Sequence, residues 1–85
     1  MLDEIEKELL ERLTFEEKLQ HLLEEINAPK PVVIDVLKSL LVRDLVAAYR
    51  FDEQLGKVLP TPFYDADNMQ DFMYRATKKG FDALY

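Results

Sequence analysis

Met73-Tyr74-Arg75-Ala76-Thr77-Lys78-Lys79-Gly80-Phe81-Asp82-Ala83-Leu84 reads as a short strand, a threonine cap and an amphipathic turn of helix. The alternating run that begins it, Phe72 to Ala76, needs a partner strand, and Ala47-Ala48-Tyr49-Arg50-Phe51 is the other extended stretch of matching character. The Thr77 hydroxyl is placed to accept from a backbone N–H of the first helical turn. Everything upstream of residue 46 is helical in period, so two strands are expected to pack against helices formed earlier in the chain.

The 85 residues fit one small domain, 1–85, able to bury only roughly 60–65% of the surface its unfolded chain exposes. Nearly every periodic apolar residue is therefore needed for the core. With 48% hydrophobic and 33% charged residues, the chain is too apolar for a disordered tail and too charged for a membrane span. The absence of cysteine removes disulfides, thiolate zinc sites and thiol catalysis. Met1-Leu2-Asp3-Glu4 is acidic and amphipathic rather than basic and then apolar, so no secretory signal is expected and the cytoplasm is the default location.

Residues 1 to 27 hold nine acidic groups against three basic ones, whereas residues 28 to 85 hold eight of each. The whole net charge of −6 thus lies in the first two helices. Phosphate neutralisation draws on clustered lysine and arginine, so any affinity for nucleic acid is expected to be local and modest.

Leu2, Ile5, Leu9, Leu10 and Leu13 recur at helical spacing and predict a first helix over about 2–13. Thr14 followed by Glu17 has the form of a capping box and predicts a second helix over about 14–27, with Phe15, Leu19, Leu22, Leu23 and Ile26 on its apolar face. Asn27-Ala28-Pro29-Lys30-Pro31 is a break, and Pro31 suits the first turn of a third helix over about 31–44 that buries Val33, Leu37 and Leu40. Strands are expected at about 46–52 and 71–77, and a helix at about 78–85. The connection 53–70, with Gly56, Pro60 and Pro62, is long enough to need structure of its own, with Phe63 and Tyr64 packing back.

The order helix, helix, helix, strand, wing, strand, short helix resembles a winged helix-turn-helix domain of the small transcription-regulator type. Arg43-Asp44-Leu45-Val46 is similar to that family's exit from the recognition helix, with aspartate where glycine is usual, and Tyr74 to Gly80 resembles its closing strand and cap. The resemblance implies an α+β fold: a three-helix core, a two- or three-stranded antiparallel wing and a short C-terminal helix. It also implies a third helix lying in the major groove and a wing touching phosphates. Carried over residue by residue, the base-facing positions are Pro31, Val32, Ile34, Asp35, Lys38 and Ser39.

Only Lys38 and Ser39 of that set can donate to a base or phosphate. Arg50, Lys57, Arg75, Lys78 and Lys79 could touch a nucleic-acid backbone from the wing side, which makes a duplex-binding regulator the alternative reading. The leading expectation is protein association, because Val32, Ile34, Leu41 and Val42 cannot all face one small core. A second copy of the chain is preferred to a foreign partner, since two-fold dimers are the commonest soluble assemblies.

No nucleophile, base and orienting group can be assembled and no glycine-rich phosphate loop exists, so no enzyme activity, cofactor or small-molecule substrate is expected. Asp65 to Asp71 faintly resembles a calcium loop, but Met69 at its fifth position and Ala76 at its twelfth cannot ligate through side chains. It reads as a solvated acidic wing tip, and no metal is expected. His21, off the apolar face, is expected at the surface. Tyr49, Phe51, Phe72 and Tyr74 read as cross-strand packing rather than a stacking platform for single-stranded nucleic acid.

Overall fold

In the computed structural model, which describes residues 2–61 and 64–85, the chain folds as α1 (Glu4–Arg12), β1 (Glu17–Lys18), α2 (Leu19–Glu25), α3 (Lys30–Val42), β2 (Val46–Asp52), β3 (Lys57–Thr61), a 3-10 turn (Met69–Asp71), β4 (Met73–Ala76) and α4 (Lys78–Leu84). The four strands form one antiparallel sheet in the order β1-β4-β2-β3. The class is α+β. No helix among the described residues is long and apolar enough to cross a membrane.

The capping box forms eleven residues earlier than expected. Asp3 Oδ1 accepts from the Glu6 N–H at 2.8 Å, and Glu6 Oε1 accepts from the Asp3 N–H at 3.0 Å. Thr14 caps nothing; its hydroxyl donates back to the Glu11 carbonyl at 3.1 Å. Residues 17 and 18 are extended instead, pairing Glu17 with Tyr74 and Lys18 with Met73. The reason is a backbone account: β4 has an otherwise open edge, and its N–H and C=O groups are satisfied by this strand at the expense of a helical turn. Two expectations are thereby corrected. The second helix spans Leu19–Glu25 rather than 14–27, and Phe15 is 70% exposed rather than in the core.

The third helix keeps its predicted inner face, with Val33, Leu37 and Leu40 fully buried. It ends in a Schellman turn: the Asp44 N–H reaches the Leu41 carbonyl at 3.1 Å, and the Leu45 N–H reaches Leu40 at 2.9 Å. Asp44 occupies the left-handed region at φ 62°. The expected loop 53–70 contains a strand. β2 and β3 form a hairpin whose turn is held by the Gly56 N–H on the Asp52 carbonyl at 2.7 Å, with Gly56 at φ 66°. Asp52 Oδ1 accepts from the Gln54 and Leu55 N–H groups in the same turn. Phe63 lies outside the described residues, whereas Tyr64 packs half-buried against the core.

The start of α4 seats on the turn after α3. The Thr77 N–H donates to the Leu45 carbonyl at 3.0 Å, the Thr77 hydroxyl to the Asp44 carbonyl at 2.7 Å, and Lys79 Nζ to the Arg43 carbonyl at 3.2 Å. The C-cap carbonyl of α3 and the two carbonyls of the turn after it are thus satisfied by residues 77 to 79. The approach is so close that a Cβ on Gly80 would stand 2.1 Å from the Leu45 carbonyl oxygen.

Two substitutions test this junction. Asp44→Gly relieves left-handed strain of roughly 1 kcal/mol, offset by about 0.5 kcal/mol of added chain entropy, so a net gain of about 0.5 kcal/mol is expected in urea unfolding. Gly80→Ala gains about 1 kcal/mol of helix propensity but overpacks against backbone at a cost of about 3 kcal/mol. Its melting temperature is expected to fall by roughly 8–16 °C, and an unchanged value would refute the close approach.

Candidate interaction surfaces

The exposed positions of α3 are Lys30 and Pro31 in its first turn and then Val32, Asp35, Ser39 and Val42, with Val32 38% and Val42 79% exposed. Val32 and Val42 stand ten residues apart, about 15 Å along the axis, with Asp35 and Ser39 between them. Ile34 and Leu41 lie elsewhere on the helix, half-buried against the core. The four aliphatic residues expected to form one association patch are therefore divided. Two are half-buried at the edge of the core and two are separated surface positions, because the apolar stripe of this helix is wide enough to wrap beyond its buried face.

Ile34 shares a groove of about 520 Å³ with Leu19, Leu23, Ala66 and Met69, and Gln20, Lys30, Asp67 and Gln70 supply its polar lining. The groove exists because the connection between β3 and β4 folds back toward the N-terminal half of α3. Two contacts hold it there. Met69 is inserted into the core at 2% exposure, and the buried Tyr74 hydroxyl donates to the Met69 carbonyl at 2.6 Å. Burial is the main cause that raises the Tyr74 phenol well above its ordinary value, with Tyr64 and Asp71 adding to it. Within the same connection, Asp65 accepts from the Asn68 side chain and the Asp67 N–H, each at 2.9 Å. Those bonds, the Asn68 one first, lower its carboxyl value and account for this carboxylate as a turn cap. Among the described residues, no three potential metal-ligating side chains come together.

The candidate nucleic-acid contacts fall on five elements. Lys38, half-buried, and Ser39, exposed, lie on α3; Arg50 and Lys57 lie on the β2–β3 hairpin; Arg75 is on β4, and Lys78 and Lys79 open α4. Several basic groups are already engaged. Arg75 lies 3.7 Å from Glu16, Arg12 bridges Glu25 at 2.9 Å, and Arg43 binds Glu6. Lys79 is held by the Arg43 carbonyl. His21 is exposed beside Glu17, 3.2 Å away.

The register of the sheet exposes a feature that the sequence reading passed over. Ala48 opposes Tyr74 and Val46 opposes Ala76, all buried toward the helices. Tyr49 opposes Met73 on one side and Pro60 on the other, and Phe51 opposes Val58, so these five occupy the opposite face. The four aromatics read together as cross-strand packing are in fact split, Phe72 and Tyr74 inside and Tyr49 and Phe51 outside. Phe51 is 53% exposed. The signal was the alternation from Val46 to Phe51, in which both small and large apolar residues occur on either parity. Protein-family models, curated proteins and solved structures yield no match to this chain.

The tyrosine bond makes a pH-dependent prediction. A phenol whose folded value is raised contributes stability that is complete below its unfolded value of about 10 and is lost as pH rises beyond it. Tyr74→Phe is expected to cost about 0.5–1.5 kcal/mol at neutral pH. The gap between wild type and variant should narrow above pH of about 10 in chemical denaturation, and a constant gap would count against a buried, bonded phenol.

Proposed function

We propose that this chain is a small winged-helix-type protein that works by association with protein, its own copy in preference to another, and not by catalysis. The observation that carries the reading is the outward chemistry of α3. Val32, Asp35, Ser39 and Val42 include no arginine, asparagine or glutamine, the side chains that make bidentate base contacts of about 1–3 kcal/mol each. Specific duplex recognition needs about 4–10 kcal/mol beyond non-specific binding, which Lys38 and Ser39 cannot assemble. The arginines at 12, 43 and 75 have carboxylate partners, and the net charge is −6.

The winged-helix part of the reading is supported by element order. A strand between the first and second helices pairs with the last strand, and the last strand lies between it and the strand following α3. In such an arrangement α3 takes the place of the groove-entering helix, with the β2–β3 hairpin as an enlarged wing. The connection folded beside Ile34 narrows the approach to the N-terminal half of that helix.

Light scattering over a concentration series is expected to show a mass rising above the 10.0 kDa of one chain. Titration into a labelled duplex at about 50 mM salt should give no binding at micromolar protein. A strictly monomeric protein that binds duplex, with affinity falling steeply as salt rises, would overturn the reading in favour of a DNA-binding regulator.

A further inference from the structure

We infer that the outer face of the sheet, formed by Tyr49, Phe51, Val58, Pro60 and Met73, is the seam at which two copies of this chain pack sheet against sheet. The inference rests on the association reading above and moves the contact from α3 to the sheet. Antiparallel sheets with one face on the core ordinarily alternate to polar residues on the other. Here the helices pack on the side of Val46, Ala48, Tyr74 and Ala76, while a contiguous apolar group across β2, β3 and β4 faces away from them.

Association through a sheet edge is disfavoured at both ends. β1 has two residues. On β3, Pro60 has no N–H to give β2, so its pair with Tyr49 is of the non-hydrogen-bonded type, and Pro60 and Val58 direct their backbone toward the open edge. A proline at that position withholds a donor from any added strand. A partner must therefore use the face.

Charge decides what fits the face. Its ionic groups lie toward the β1 side: Lys18, which opposes Met73, and Arg75, already paired with Glu16. The β2–β3 half is uncharged, and Asp71 borders the groove shared by Lys18, Phe51 and Met73. A polyphosphate strand stacked on Tyr49 and Phe51 would meet one unpaired cation with a carboxylate beside it. A neutral apolar centre with charge at one rim suits a protein surface instead. Aligned sheet packing needs a second flat apolar face, and another copy supplies one at equal concentration in an isologous contact. β2 runs for seven residues and three strands lie side by side, so the face spans about 23 Å by 14 Å, roughly 320 Å² in plan. That is below the roughly 800 Å² per partner of standard interfaces, so the expected dissociation constant is micromolar or weaker.

The test is sedimentation equilibrium of the full chain from about 10 to 500 μM, bracketing that weak range. Wild type should approach twice the monomer mass. Phe51→Glu and Met73→Lys, both with unchanged circular dichroism, should remain monomeric, whereas Val42→Lys should behave as wild type. If the sheet variants associate like wild type while Val42→Lys does not, the seam is refuted and the association reading stands. A wild type that stays monomeric throughout refutes both. Should a sheet variant fail to fold, dilution of isotope-labelled wild type gives the answer: amide shifts confined to residues 47–51, 58–60 and 73–75 support the seam, and shifts elsewhere or none overturn it.

Discussion

The close seating of residues 77–80 on the turn 43–45 is the constraint from which the remaining architecture follows. A helix end leaves carbonyls unpaired, and burial of such groups is costly unless donors reach them. Here the Schellman turn pairs two of them, and donors from the segment after β4 reach the carbonyls of Arg43, Asp44 and Leu45, so the end of α3, the start of β2 and the start of α4 become one unit. Glycine at position 80 permits the distance, since any side chain there would collide with the Leu45 carbonyl. Arg43 extends the unit to α1 through Glu6, whose other carboxylate oxygen closes the cap at Asp3.

With that junction set, the sheet has one side committed to the helices. β2 leaves the turn with Val46 and Ala48 inward, and β4 meets it with Tyr74 and Ala76 inward. Because side chains alternate, Tyr49, Phe51 and Met73 have no choice but the far side. The tyrosine at 74 then anchors the connection that passes beside α3, through the Met69 carbonyl and side chain. The surfaces left for other molecules are the consequences of these internal requirements: a punctuated face on α3 and a continuous apolar face on the sheet.

Much of the fold was legible. The inner stripe of α3, the strand after it and the threonine cap before α4 all rest on local chemistry, and each is where the residues put it. The misreadings share a cause. Thr14 and Glu17 have the right spacing for a capping box, but the open edge of β4, more than fifty residues away in sequence, draws residues 17 and 18 into the sheet. β3 contains a proline and so resembles loop, yet it is an edge strand where the missing donor costs no ladder bond. The four aliphatic residues of α3 are divided for a related reason. Periodicity tells which residues share a stripe, and only packing tells how wide a stripe the neighbours cover.

By itself, then, the order of residues determined the inner faces of the helices, the threonine cap before α4, the break at the two prolines, an acidic first third and a core drawn from most of the periodic leucines. Those features depend on neighbours within about one helical turn or one strand pair, where spacing is sufficient information. Tertiary structure alone decided that residues 17 and 18 pair with β4, that Ile34 and Leu41 are partly covered by the core while Val42 is not, and that Tyr49 and Phe51 face away from Phe72 and Tyr74. Each of these depends on which distant backbone groups and apolar faces had to be satisfied together.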